Sequence, residues 1–288
     1  MATSRFATPS ATRAVLESHG LALKKSLGQH FLVDGNIVGK ILDLAGLTRD
    51  TPVLEIGPGI GTLTVALCAE AGAVVAVERD TDLLPALDDV AAECGNLTVV
   101  RADAVSVAPD LLLTPLGPPV ALVANLPYGV AATVVLRSFE KMPSIVSATV
   151  MVQAEVAQRM AAAPGRKDYG AYTVKLRMFA EPSGSFAVPR TCFMPPPRVD
   201  STVLRLDRVM RTESDQQRRS AVTLVEAAFS QRRKTLRNSV LAATGWEGAV
   251  FDDALAKAGI DGRRRAETLS VDEFFALATA AAEYGLSD

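Results

Sequence analysis

The stretch PVLEIGPGIGTLTVALCAEAG, residues 52–72, decides the fold. It begins as an apolar run of strand length, passes glycines spaced G-x-G-x-G at Gly57, Gly59 and Gly61, and continues with apolar residues at helical spacing. A buried strand handing over to a helix through a glycine loop is the opening unit of a doubly wound α/β sheet. The alternation continues downstream. AVVAVE (73–78), LTVVRAD (97–103), VALVANL (120–126) and ATVMVQ (148–153) read as buried parallel strands, and DLLPALDDVAAEC (82–94) as a helix between two of them. The expected class is therefore α/β, with a Rossmann-like sheet.

Beyond residue 175 the pattern changes. KLRMFAEPSGSFAV (175–188) and DSTVLRLD (200–207) are two β-like runs with no helix expected between them, which predicts an antiparallel edge. From about 210 the chain reads as helices only, so a small all-α C-terminal domain is expected. Its last helix starts at Ser270 with Glu273 three residues on, the spacing of a capping box. The domain scheme that follows is an N-terminal arm over 1–23, a catalytic domain over 24–208 and a helical domain over 209–288.

Composition sets the outer limits. Hydrophobic residues make up 49% of 288 and charged residues 22%, the balance of a globule rather than a disordered chain. No apolar run approaches the roughly 20 residues a bilayer span needs, so no membrane segment is expected. Cys68, Cys94 and Cys192 are odd in number and lack CxxC spacing, which argues against a disulfide framework and against a zinc site. No metal is expected, and a reducing cytoplasm fits. The net charge of −2 conceals a segregation: residues 187–240 carry eleven basic against five acidic side chains and are flanked by acidic segments. Arg232, Arg233, Lys234 and Arg237 fall within six residues of that block. Read as a helix, this cluster is broad enough to meet nucleic-acid phosphates.

The glycine loop carries chemistry only in company. The NAD fingerprint is G-x-G-x-x-G, and the spacing here differs. Glu78 ends the second strand, where a carboxylate accepts from ribose hydroxyls, and Asp103 ends the third, placed for an adenine amino group. No Lys, Arg or P-loop pattern accompanies the loop, so the ligand expected is a nucleoside without pyrophosphate.

The fourth strand stops on Asn125-Leu126-Pro127-Tyr128. Proline disfavours the helical conformation for Leu126 and leaves its carbonyl available. With the Asn125 side-chain oxygen, that makes two convergent acceptors, which suit an amino group bearing two hydrogens, such as the exocyclic amine of adenine. Tyr128 offers a π-face for a flipped base.

With these motifs in order, the chain resembles the ribosomal small-subunit RNA adenine dimethyltransferases, a family of class I S-adenosylmethionine-dependent methyltransferases. KKSLGQHFLVD (24–34) resembles its N-terminal cofactor motif; LEIGPGIGTLT, VERD, RADA and NLPY follow in family order; FMPPPRVDS (193–201), FSQRRKTLRN (229–238) and RRAETLSVDEF (264–274) complete the match over nearly the whole chain. The resemblance implies cofactor roles for His30, Leu32, Gly57, Gly59, Glu78, Asp103 and Asn125, catalytic roles for Asn125, Leu126, Pro127 and Tyr128, and for Phe193 a stacking role across the target base from Tyr128. It implies S-adenosylmethionine as methyl donor and, as partner, small-subunit rRNA in a pre-ribosomal 30S-like particle; the sequence leaves the oligomeric state open, with a monomer as the default. Two positions depart from the family pattern: Ala154 where lysine is usual and Tyr172 where leucine is usual. The alternatives are the large-subunit rRNA methyltransferases of macrolide resistance, a non-catalytic ribosome assembly factor and, more remotely, a NAD-dependent oxidoreductase.

Overall fold

The computed structural model describes residues 4–21 and 29–286. By internal contacts the chain divides into two compact units: the residues up to Ala157 together with Pro182–Arg208, and Gln158–Glu181 together with the residues from Val209 on. The helical unit thus takes in a segment, 158–181, that the sequence pattern assigns to the catalytic domain.

The first unit opens with α1 (Pro9–Ser18), β1 (Phe31–Leu32) and α2 (Gly35–Ala45). Thr8 caps α1 by accepting from the Ala11 amide, and Leu16 packs with Phe31, Ile60 and Leu83. Arg5 pairs with Glu93, and His19 Nε2 lies 3.0 Å from an Asp89 carboxylate oxygen. Over 4–21 the N-terminal arm is structured, because α1 has an apolar side to bury, with Leu16 on it. Asp34 caps α2 by accepting from the amides of Asn36 and Ile37.

The central elements are β2 (Pro52–Ile56), α3 (Thr62–Glu70), β3 (Ala73–Glu78), α4 (Leu84–Cys94), β4 (Leu97–Arg101), β5 (Ala121–Asn125), α5 (Ala131–Lys141), β6 (Ser147–Gln153) and α6 (Ala154–Ala161). After α7 (Ala171–Arg177) come β7 (Ala180–Val188), β8 (Phe193–Met194) and β9 (Ser201–Arg208). The seven-stranded sheet has the order β4-β3-β2-β5-β6-β9-β7. β2 pairs in parallel with β3 and β5, and β6 in parallel with β5, whereas β9 runs antiparallel to β6 over seven residues. The antiparallel edge lies where the sequence predicted it, except that 175–177 close a helix before β7 begins.

Burial explains the strand compositions. Every residue of β2 and β3 is buried, as continuous apolar runs covered on both faces must be. Strand order reverses between β2 and β5, the place where an open α/β sheet leaves a crevice at its carboxyl edge. Arg208 closes the far end of β9 by donating to the carbonyls of Phe139, Met142 and Ile145.

The second unit holds α8 (Asp215–Phe229), α9 (Leu236–Thr244), α10 (Gly248–Lys257) and α11 (Val271–Glu283), joined by α7. Capping boxes start α8 at Ser214 with Gln217 and α11 at Ser270 with Glu273. Tyr169 donates its hydroxyl to the Leu269 carbonyl at 2.8 Å, and Phe229 stacks at a tilt against both Tyr169 and Phe274. These contacts tie 158–181 to the C-terminal helices. Arg218 lies over the Phe179 ring, 5.0 Å from its centroid, which adds a cation–π contact to the same seam.

Candidate active site

A cavity of about 300 Å³, within the range of small-molecule sites, opens at the carboxyl ends of β2, β3, β4 and β5. Its floor is the glycine loop. Gly57, Gly59 and Gly61 have φ of +69°, +63° and +87°, the left-handed region that only glycine enters without strain. A Cβ on Gly57 would stand 3.2 Å from Pro127 Cδ, and one on Gly59 would stand 3.0 Å from the Phe31 ring. The loop and the turn after β5 therefore meet through a glycine's missing side chain.

Glu78 is buried at the end of β3. Its Oε1 accepts from the amides of Arg79 and Asp80, both at 2.8 Å, and its Oε2 from the Gly59 amide at 3.3 Å. Burial holds its carboxyl above the usual range, and the three amides oppose that shift. Asp103, after β4, accepts from the Val105 amide and lies 3.4 Å from Arg79 Nη1. Both acids line the cavity and keep lone pairs to spare.

The turn after β5 has the geometry its residues suggest. Asn125 Nδ2 donates to the His30 carbonyl at 3.4 Å, so the amide is turned with its oxygen free of protein donors among the described residues. The Leu126 amide donates to the Met151 carbonyl, while the Leu126 carbonyl accepts no backbone amide among them. Tyr128 is half-buried. His30 stacks on it with ring centroids 5.9 Å apart and planes at 27°, and His30 Nδ1 donates to the Pro195 carbonyl at 2.7 Å.

The residues under the loop bear on whether a cofactor fits. Glu55 and Thr62 each bury a side-chain oxygen that has no hydrogen-bond partner among the described residues, and both line the cavity. Burial, opposed by Thr64 and reinforced by the Glu78 charge, pushes the Glu55 carboxyl up to about 8. Unpartnered oxygens beside a nucleoside-sized cavity, with acids at two strand ends, are a set of acceptors that a ligand with ribose hydroxyls and an amino-acid tail would satisfy. S-adenosylmethionine is such a ligand, and the site fits it. Among the described residues no cluster of His, Cys, Asp and Glu has the makings of a metal site.

The comparisons with known proteins agree with this geometry. A family model described as "Ribosomal RNA adenine dimethylase" matches residues 20–283. The chain belongs to that family. It is 43% identical over 282 residues to the ribosomal RNA small subunit methyltransferase A of Pelotomaculum thermopropionicum, covering 94% of this chain and 96% of that one. It is 44% identical over 280 residues to the protein of the same name from Rhodococcus erythropolis, covering 94% and 92%. Among solved structures, a dimethyladenosine transferase from Plasmodium falciparum superposes with a TM-score of 0.75 at 25% identity, covering 90% of this chain and 99% of that one. The 23S rRNA methyltransferase ErmE gives 0.67 at 28%, covering 87% and 98%. As a member of this dimethylase family the chain is an S-adenosylmethionine-dependent rRNA adenine methyltransferase.

Not every expected residue lies in the site. His30, Leu32, Gly57, Gly59, Glu78, Asp103 and Asn125 through Tyr128 all line the cavity. Phe193 does not: it is 2% exposed and packs in the core with Leu32, Ile37 and Val203. The two-residue ladder of β1 and β8 sets Phe193 opposite Leu32 and turns its ring inward, so the aromatic neighbour of Tyr128 is His30. The remaining cofactor-motif residues Lys24 to Gly28 lie outside the described residues.

The basic cluster also differs from the expectation of one helix. Residues 230–235 form an irregular connection between α8 and α9, with Arg232, Arg233 and Lys234 exposed on it. Arg237 lies apart in the first turn of α9, where its guanidinium forms a two-pronged pair with Asp252, Nε to Oδ1 at 2.6 Å and Nη2 to Oδ2 at 2.9 Å. It is a bolt between α9 and α10 more than a free phosphate ligand. Glu55 and Thr62 line the cavity, and the sequence pattern assigned neither a role.

Proposed function

We propose that the protein transfers two methyl groups in succession from S-adenosylmethionine to the N6 amine of each of two adjacent adenosines near the 3′ end of small-subunit (16S) rRNA. It acts as a cytoplasmic monomer on a 30S-like particle late in subunit assembly. The observation that carries the chemistry is the turn at the end of β5, where the Asn125 oxygen and the Leu126 carbonyl, beside an aromatic face, accept no hydrogen bond among the described residues. The small-subunit target is supported by the relatives, whose names specify the small subunit.

The methyl donor, when bound, supplies a carbon made electrophilic by a sulfonium. The chain's own residues supply position. Glu78 and Asp103 hold the nucleoside end of the donor, and Glu55 and Thr62 lie beside the loop that receives the remainder. Tyr128 receives the flipped adenine on its ring, a stacking contact worth about 1–3 kcal/mol. Asn125 and Leu126 accept the two amine hydrogens, which favours a pyramidal nitrogen with its lone pair directed at the methyl carbon. The nitrogen becomes strongly acidic once it bonds carbon, so an amide serves where a strong base would be superfluous. After the first transfer one hydrogen remains, and either acceptor can hold it for the second.

Arg232, Arg233 and Lys234 supply phosphate contacts from the helical unit. The test is methyl transfer to unmethylated small subunits, large subunits and naked rRNA with nucleoside analysis; label in large-subunit RNA would move the chain to the class of ErmE.

A further inference from the structure

Tyr128 is held at two points. Its hydroxyl oxygen lies 2.6 Å from Ser201 Oγ, and Ser201 is wholly buried. Its ring has His30 against one face, and His30 is anchored through Nδ1 to the Pro195 carbonyl. A tyrosine needed only for its π-face could as well be phenylalanine, so the hydroxyl calls for an account.

Topology explains how Ser201 reaches it. β9 runs antiparallel to β6, so its first residue lies at the edge where the parallel strands end. Ser201 is opposite Gln153, the last residue of β6, and Met151 of β6 is opposite Asn125, the last of β5. The turn entering β9 is pinned as well. The Asp200 carbonyl accepts from the Ala154 amide and its carboxylate from the Arg190 amide, each at 3.1 Å. Ser201 therefore offers Tyr128 a hydroxyl whose position is set by the sheet and not by a loop. Burial raises the Tyr128 phenol above its ordinary value, so it stays protonated and hydrogen-bonded through the neutral range.

We propose that Ser201 is a positioning residue for methyl transfer, acting through the Tyr128 hydroxyl to hold the ring so that the target adenine stacks on the face turned away from His30. The inference rests on the adenine-methylating reading given above. Ser201 touches neither substrate nor donor; it sets the plane on which the base rests, and hence the approach of the amine to Asn125 and Leu126. A small tilt of that plane moves the reacting nitrogen out of line, to which in-line transfer is sensitive.

The experiment is a double-mutant cycle in the full chain, Ser201→Ala, Tyr128→Phe and the pair, with steady-state methylation of unmethylated small subunits. Each single variant should lower kcat by roughly three- to tenfold, the range of one hydrogen bond, while the KM for S-adenosylmethionine stays within twofold. The double variant should be no slower than the worse single. If Ser201→Ala costs the same factor in the Tyr128→Phe background as in the wild type, the serine acts by packing alone and the proposal is overturned. Should Ser201→Ala not fold, Tyr128→Phe removes the same bond from the other side, and a wild-type kcat in that variant overturns the proposal equally. A wild-type protein that transfers no methyl group to any ribosomal RNA would remove the adenine reading itself, and this inference with it.

Discussion

Pro127 rests against the bare backbone of Gly57, where a Cβ would come within 3.2 Å of the proline ring. This packing joins the cofactor loop to the turn that carries the amine acceptors, so one substitution should disturb both. Gly57→Ala adds left-handed strain of about 1–2 kcal/mol on an alanine, besides the clash. The expected outcome is a melting temperature lowered by several degrees together with cofactor affinity weakened at least tenfold, read by calorimetry. Wild-type cofactor affinity in that variant would contradict a loop pressed against the turn.

Asn125→Ala removes the side-chain acceptor at the cavity wall but leaves Glu78, Asp103 and the glycine loop in place. Turnover should fall to background while the dissociation constant for S-adenosylmethionine changes only a few-fold. Substantial methylation by this variant would remove the amine-gripping argument.

Glu55 links stability to pH. Its carboxyl titrates near 8 in the folded chain, against the ordinary carboxylate range in the unfolded one, and burial is the main cause. Between those values the folded state holds a proton that the unfolded state has lost, so this group's contribution falls as pH rises from about 4.5 to 8 and is flat beyond. Glu55→Gln, neutral at every pH, should gain on the wild type across that window, by an amount on the order of a few kcal/mol at pH 8 to 9. Melting curves of the two proteins from pH 5 to 9 check this; a constant difference between them would show that Glu55 is ionised in the folded protein.

Replacing Arg232, Arg233 and Lys234 with glutamine should weaken RNA binding and flatten its salt dependence, by roughly 0.7 to 0.9 in log–log slope for each phosphate the protein no longer neutralises. Arg237→Gln should behave differently. Its partner is Asp252, so the variant should leave the salt slope unchanged and alter instead the thermal unfolding of the helical unit. Equal slope changes from both would place Arg237 on the RNA after all.

Much of the first unit was legible because its signals are local. Parallel strands buried on both faces read as apolar runs, the glycine spacing marks a loop with positive φ, and a proline after Leu126 marks a strand end. What was not legible depends on contacts between distant residues. Phe193 faces inward because it pairs with Leu32, more than 150 residues away, in a ladder two residues long. The arm at 4–21 packs because Leu16 finds Phe31, Ile60 and Leu83. Tyr169 and Arg218 draw 158–181 to the C-terminal helices through a hydrogen bond to Leu269 and a cation–π contact with Phe179, neither of which leaves a periodic trace. Arg232, Arg233 and Lys234 fall between helices because Thr235, accepting from the Asn238 amide, starts a new one. The resemblance supplied the order of the motifs and set Phe193 across from Tyr128, whereas the ring beside Tyr128 is that of His30 and Phe193 is buried in the core.

The central claim is that this chain methylates adenine N6 in small-subunit rRNA, and the most direct measurement is transfer of labelled methyl from S-adenosylmethionine to unmethylated small subunits, large subunits and naked rRNA, followed by nucleoside analysis. The account predicts N6,N6-dimethyladenosine with small subunits alone. Label confined to large-subunit RNA, or particle binding without any label, would contradict it.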